Sequence, residues 1–439
     1  MTTPYSNEAI AALVEPRRYH RRLFTDPGLF DLEMERIFGR AWVYVAHESQ
    51  LAKPGDYVTT RIGTQPVIAV RDKDGEAIHV LHNRCGHKGA TVVERPCGNA
   101  RKFRCQYHGW VFNPDGSLFA QPHPIGYRDC GFDRADPRYG MPRVARQAEY
   151  RGFIFASLSE DGPDFDAFIQ EIRSSFDNMI DRSPVGRLEL VGQGFRYLKR
   201  SNWKAFMDNL DDAMHPMVTH QSVGDACKDY LRDVDLAQDP ELNRYVEIIN
   251  PFNSGYDFYD DMGVTACPYG NGWTGGASSI HSEYDEVPGY RALLREAHGR
   301  ERADEILSTN RHNTIVYPSM TLKGPIQNIR IVRPLSVDRS IIEAYSFRPV
   351  GAPDEVFRRN VIYSNLVNSP ASMVGTDDAE MYERLQHGLR TEAQEWIDTS
   401  RYFGREEEIR PGVRVAPGTS DLSFRNMYQT WKDYMTGVL

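Results

Sequence analysis

"RCGHKGATVVERPCGNARKFRCQYHGW", residues 84–110, carries two thiols and two imidazoles in a particular order. Cys85-x-His87 comes first, seventeen residues intervene, and Cys105-x2-His108 follows. Each half supplies one cysteine and one histidine from what reads as a tight turn, and Gly86, Gly89 and Gly109 bring the backbone freedom such turns need. Two metal chemistries use this donor set. A structural zinc takes two cysteines and two histidines, but its frameworks keep the cysteines together and then the histidines. Alternation within each half instead suits a two-iron, two-sulfide cluster in which one iron takes both thiolates and the other both imidazoles.

Working outward, the neighbourhood of this quartet reads as β structure. "DYVTTRI", "PVIAVRD" and "AIHVLHNR" are short β-branched runs separated by turn signals such as "DKDG". "FRCQYHGWVFNPDGSL" predicts a hairpin with "NPDG" at its tip, and "YRGFIFASL" (150–158) predicts a closing strand. Residues 39–160 are therefore expected to form a small all-β domain. Before it, "DPGLFDLEMERIFGR" (26–40) has the apolar spacing of an amphipathic helix, and residues 1–38 are expected to form a helical segment packed on the domain formed by residues 161–439. After it, residues 164–180 predict a helix, and "IQNIRIVRPLSV" and "IIEAYSFRPV" predict strands, so residues 161–439 read as an α+β domain.

Composition bounds the function. The 439-residue chain is 40% hydrophobic and 26% charged, the profile of a soluble globular protein. Its formal net charge of -9 argues against a general binder of nucleic acid or anionic membrane. The N-terminal residues lack a basic region followed by a long apolar core, and no apolar run approaches the ~20 residues that span a bilayer. A cytoplasmic location is the expectation. Six cysteines are sparse for such a length, and three of them lie within residues 85–105. Cys97, Cys130, Cys227 and Cys267 read as ordinary small residues.

A second polar constellation lies in "NWKAFMDNLDDAMHPMVTH", residues 202–220. Through Met214 the stretch has helical period, with Phe206, Met207, Leu210, Ala213 and Met214 as an apolar stripe and Asp208, Asp211, Asp212 and His215 opposite. His215 and His220 are five apart, about 140° on a continuous helix. Pro216 disfavours helical geometry at His215, so a break there lets His220 turn back toward it. Two histidines and a carboxylate make the facial triad that holds non-haem Fe(II) with open positions. The bland alternative is a solvated polar face.

The quartet and its flanks, "NRCGHKGA" and "CQYHGW", resemble the Rieske [2Fe–2S] domain of ring-hydroxylating oxygenases. The second motif is similar to the same family's α (large) subunits, which carry N-W-K and then D-x-x-H-x4-H. The likeness runs from "LFTDPGLFDLEMERIFGRAWVYVAHESQ" to "NTIVYPSMTLKGPIQNIRIVRPLSVDRS" and looks nearest to the benzoate, anthranilate and salicylate branch. The resemblance implies an α+β fold: an all-β Rieske [2Fe-2S] domain plus a catalytic domain with a helix-covered antiparallel β-sheet. It implies Cys85, His87, Cys105 and His108 as cluster ligands. His215 and His220 would hold a mononuclear Fe(II), with Asp378 as third ligand in "GTDDAEMYERLQHGL". The alternative third ligand, Asp377, also reads as a helix N-cap with Glu380 three residues on. Asp212 matches the aspartate that links a histidine ligand to the Rieske histidine of a neighbouring subunit, here His108. Asp211, four before His215, could mimic that geometry and matches less well. Asn209 matches an asparagine near the iron.

For function, the resemblance implies a terminal oxygenase: O2 and electrons from NADH cis-dihydroxylate a small aromatic substrate, an aromatic carboxylate by the branch. The electrons would arrive through a separate reductase, with a ferredoxin as an optional carrier. A small β subunit is expected, in an α3β3 hexamer, or else a trimer of α. Monooxygenation, as in salicylate hydroxylases or demethylases, is the competing reaction, and an electron-transfer-only Rieske protein is a competing class. Two other signals are set aside. "GNGWTG" (270–275) satisfies G-x-G-x-x-G without a strand before it or a helix after it, and is expected to be a loop. Arg330 and Arg333 could each meet a substrate carboxylate, but their parity on one strand lets at most one face a pocket.

Overall fold

The structure is a computed structural model that describes residues 5–192, 194–232, 240–282, 284 and 286–439. The chain divides into two compact units, Phe38–Gly162 and a larger one made of Met1–Ile37 with Pro163–Leu439. Residues 1–4 of the expected N-terminal segment lie outside the described residues.

In the smaller unit the β-branched runs form strands Asp56–Ile62, Gln65–Arg71 and Ile78–His82, a meander whose outer edge on Asp56–Ile62 is joined by Cys97–Asn99. Phe103–Arg104, Val111–Phe112 and Leu118–Ala120 make a second sheet. The "NPDG" tip closes as expected, with Gly116 N–H donating to Asn113 O at 3.0 Å. Arg146–Tyr150, Phe153–Ser157 and Val43–His47 make a third. The first two sheets share a core that gathers Ile68, Val70, Leu81, Phe103, Trp110 and Phe112. Cys85 and Cys105 belong to that same buried cluster, so two turns are anchored by the core they emerge from.

The larger unit is built on a ten-stranded antiparallel sheet. Its centre runs Arg339–Pro349, Asn328–Ser336, Met320–Lys323, Asn313–Val316, Gly272–Thr274 and Val264–Ala266 in spatial order. The Asn328–Ser336 strand is buried over its first seven residues, which include the polar side chains Asn328, Arg330 and Arg333. Helices Trp203–Asp211, Leu422–Thr436, Asp354–Tyr363 and Arg173–Asp181 pack on this sheet. The fold is the expected α+β arrangement of a small all-β unit and a helix-covered antiparallel sheet. Among the described residues no helix is long and apolar enough to cross a membrane.

Several local expectations need correction. Helix Pro27–Arg36 starts where predicted, with Asp26 capping Gly28 and Leu29 N–H and Pro27 at the first helical position, but ends four residues early. The segment before it is not all helical: Val14–Glu15 and Arg18–His20 pair across a Pro16-Arg17 turn, and Arg18–His20 pairs with Trp396–Asp398. Residues 164–180 split into Phe165–Ile169 and Arg173–Asp181 with no glycine or proline at the join, a case of tertiary packing overriding local propensity. "GNGWTG" is not a loop, because Gly272–Thr274 is a sheet strand paired on both sides. The glycine there serves packing: a Cβ on Gly272 would meet Thr265 O at 2.5 Å.

Candidate metal centres

The two turns of the cysteine–histidine quartet are near copies of each other. Cys85 N–H donates to Ala90 O at 2.8 Å and Gly89 N–H returns to Cys85 O at 3.0 Å. Cys105 N–H donates to Trp110 O at 2.8 Å and Gly109 N–H returns to Cys105 O at 3.1 Å. Gly89 at φ +78° and Gly109 at φ +70° hold the left-handed conformation that closes each turn. Gly86, expected to do the same, does not have positive φ; its missing Cβ makes room for Tyr139 O and Gly140 O, each 2.5 Å from where that atom would sit.

The four side chains converge. The His87 and His108 rings lie 4.7 Å apart, and His87 stacks on Trp110 at 4.8 Å. Cys85 and Cys105 are buried while His108 is exposed, which places the imidazoles toward solvent. Burial pushes the Cys85 thiol up and Cys105 adds to this, while the backbone N–H groups of His87 and Lys88 favour the thiolate. His87 Nδ1 is buried without a hydrogen-bond partner. A ring nitrogen left unsatisfied beside two buried thiols and a second imidazole is what a cluster of mixed thiolate and imidazole ligation fits.

The second centre differs in detail from what the helical pattern suggests. The Trp203–Asp211 helix ends at Asp211, and the break falls at Asp212, whose backbone is extended. His215 has helical backbone, and Pro216 sits at the first position of a new helix, Pro216–Thr219, where a missing N–H costs nothing. Nor is the acidic side a solvated face. Tyr428 donates to Asp208 at 2.7 Å, and burial pushes the Asp208 carboxyl up to about 7. Asp211 is 6% exposed and pushed up to about 8 by burial, with Asp208 and Asp212 adding to it. The helix is packed nearly all round, so polarity and exposure part company here.

The turn brings His215 and His220 back together, and the Met373–Gly388 helix adds Asp378; one ligand atom from each lies within 4.8 Å of the other two. Asp378 Oδ1 is 3.3 Å from His220 Nε2 and 3.6 Å from His215 Nε2. Burial alone would raise the Asp378 carboxyl; His220, His215 and Lys199 outweigh it and hold it well below the usual carboxylate range. Asn209 Nδ2 reaches both Asp378 Oδ1 at 3.0 Å and His215 Nε2 at 3.1 Å. The outer nitrogens face carboxylates: His215 Nδ1 lies 3.3 Å from Asp212, and His220 Nδ1 lies 3.5 Å from Asp377. Carboxylates behind ligating imidazoles fix the ring and raise its basicity. Two imidazoles and one carboxylate, each ring backed by a further acid, fit a divalent iron with open positions.

Asp377 is thus neither an N-cap nor equivalent to Asp378. Ser372 caps the helix through Gly375 N–H at 2.8 Å, and Asp377 stands behind His220. Asp211 does not reach His215; its Oδ1 is buried without a partner. Of the two arginines, Arg330 lines the cavity beside the triad and Arg333 pairs with Glu343 at 3.1 Å on the other face of the strand. The sequence reading missed Lys323, His312 and Tyr363, which line the same cavity. A lone lysine in the apolar run "IVYPSMTLKGPI" was the available signal for the first.

Comparison with known proteins accords with this pairing of sites. Residues 41–127 match the family described as Rieske [2Fe-2S] domain, and residues 187–437 match the ring hydroxylating alpha subunit (catalytic domain). The chain is 32% identical to the toluate 1,2-dioxygenase subunit alpha of Pseudomonas putida, over 95% of this chain and 91% of that one. It is 33% identical to the 2-halobenzoate 1,2-dioxygenase large subunit of Burkholderia cepacia, over 88% of this chain and 80% of that one. A crystal structure of naphthalene 1,2-dioxygenase bound to phenanthrene has the same fold, with a TM-score of 0.81 at 24% identity, covering 98% of this chain and 95% of that one.

Proposed function

The chain belongs to the α subunits of Rieske ring-hydroxylating oxygenases, and from that premise we propose that it is a terminal oxygenase that cis-dihydroxylates an aromatic carboxylate. The family uses a Rieske cluster and a mononuclear iron, and takes its electrons from a separate reductase, directly or through a ferredoxin. The observation that carries the proposal for this chain is the His215–His220–Asp378 triad, which accompanies the Cys85, His87, Cys105 and His108 quartet in one polypeptide. The bound groups supply one-electron storage and activation of dioxygen.

The chain's own residues divide the remaining work. Cys85, Cys105, His87 and His108 would hold the cluster; His215, His220 and Asp378 would hold the iron. Asn209 would steady Asp378 and His215 through its amide. Asp212 would orient His215 and carry the electron to it from the cluster of a neighbouring copy, in a trimer of α or an α3β3 assembly. The relatives named for toluate and 2-halobenzoate support an acidic substrate.

The test is substrate-dependent oxygen uptake with a reconstituted reductase, over benzoates and neutral arenes, under labelled dioxygen. The proposal expects both labelled atoms in one product from an aromatic acid. A single labelled atom would assign monooxygenation instead, and the absence of any substrate-dependent uptake would leave an electron carrier. A narrower prediction concerns Asp212→Asn. Outer partners of metal-bound histidines are worth roughly 10- to 100-fold in activity, so turnover should fall by that factor with iron content kept. Its readout is the rate at which substrate and oxygen reoxidise the reduced cluster; an unchanged rate would remove Asp212 from the path.

A further inference from the structure

Two cations lie on the face of the sheet that meets the triad. Antiparallel register sets Thr321 opposite Arg330, and Lys323 is two residues on from Thr321, so Lys323 and Arg330 are diagonal neighbours on one face. Both line the cavity that holds His215, His220 and Asp378. Lys323 is 2% exposed and Arg330 8%. The Lys323 ammonium donates to Tyr363 Oη at 2.8 Å. One Arg330 Nη donates to Asn313 Oδ1 at 3.2 Å, and its Nε is buried without a hydrogen-bond partner. The two acids lining the same cavity, Asp212 and Asp378, lie against the histidines. Among the described residues neither cation forms an ion pair with a carboxylate.

Burying one charge without a counter-ion is costly, and two side by side repel as well. Burial and Arg330 together push the Lys323 ammonium down, and only Asp378 opposes them. A purely structural role is better filled by an apolar residue at a buried sheet position; on the opposite face of the same two strands Leu322 and Ile331 are such residues. The arrangement lacks one component: an anion that enters with the ligand.

Resting on the aromatic-acid reading above, we propose that Lys323 and Arg330, with the Tyr363 hydroxyl, form the receptor for the substrate carboxylate. Anchoring the carboxylate there fixes which edge of the ring is presented to the His215–His220–Asp378 triad. It also makes these positions the determinants that separate acids from neutral arenes.

The experiment is calorimetric binding to the anaerobic holoenzyme, with benzoate, 2-aminobenzoate and 4-methylbenzoate against their amides and toluene. Removing one partner of a buried, hydrogen-bonded charge pair weakens binding by roughly 30-fold or more. Lys323→Met is expected to lose at least that much affinity for the acids, while amide affinity changes little and toluene affinity rises. Lys323→Arg should restore acid binding in large part. Tyr363→Phe, a smaller change, should weaken acids over amides in the same sense and keeps the test open if Lys323→Met does not fold. Acids and amides weakened alike in both variants would overturn the receptor and leave the aromatic-acid reading standing. A wild-type protein that binds toluene and none of the acids would overturn both.

Discussion

An Asp378→Ala chain is expected to lose its mononuclear iron and its dihydroxylating activity, while its reduced cluster keeps its electron paramagnetic resonance signal. Asp378 Oδ1 faces Nε2 of both histidines, at 3.3 and 3.6 Å, whereas Asp377 meets only the outer Nδ1 of His220. Removing it leaves two imidazoles and no carboxylate ligand in the site. The loss of activity should therefore exceed the roughly 100-fold upper range of outer-partner substitutions. Iron per chain should fall by one with sulfide unchanged. Asp377→Ala should keep the iron and lose activity by a smaller factor. The reverse pattern, iron kept in Asp378→Ala and lost in Asp377→Ala, would move the ligand by one residue.

The second large effect is on stability and lies away from both centres. Glu33 is fully buried on the Pro27–Arg36 helix and accepts hydrogen bonds from Lys204 Nζ at 2.6 Å, Trp431 Nε1 at 2.7 Å and Trp203 Nε1 at 2.8 Å. It ties the N-terminal helix, the Trp203–Asp211 helix that leads to the iron site, and the C-terminal helix into one network. Glu33→Ala strands a buried ammonium and two indole N–H groups, and breaking such a pair costs about 3–5 kcal/mol. The unfolding midpoint should drop accordingly, read by far-ultraviolet circular dichroism during denaturation. A Glu33→Leu, Lys204→Met double variant should recover part of the loss, since it leaves no unpaired charge. Equal stability of single and double variants would show that packing, not charge, accounts for the effect.

How far these features could be read in advance depended on their range along the chain. The quartet was legible because each half is a local turn with its own glycine, and the flanking strands alternate with turn signals. Helix Pro27–Arg36 was legible through its apolar spacing, and Leu29, Phe30 and Leu32 are the positions it buries. The end of the Trp203–Asp211 helix was not, because Asp212 leaves helical backbone with no glycine or proline at that position. Asp208 and Asp211 looked like a solvated face because charge usually reports exposure; the distant Leu422–Thr436 helix packs there instead, with Tyr428 donating to the Asp208 carboxylate and Ser423 to the Asp211 backbone carbonyl. Lys323 and Tyr363 meet across forty residues, and no pattern within either segment announces the other. Parity did separate Arg330 from Arg333, because a strand's period of two survives any packing.

One chain is expected to carry both a mixed-ligand cluster and a separate iron. The most direct measurement is iron, sulfide and zinc per chain of the purified protein, with the electron paramagnetic resonance spectrum after reduction. Three irons and two acid-labile sulfides per chain are expected, two irons from the cluster and one from the triad, with a Rieske-type signal and no stoichiometric zinc. Zinc without sulfide, or a reduced protein without that signal, would contradict it.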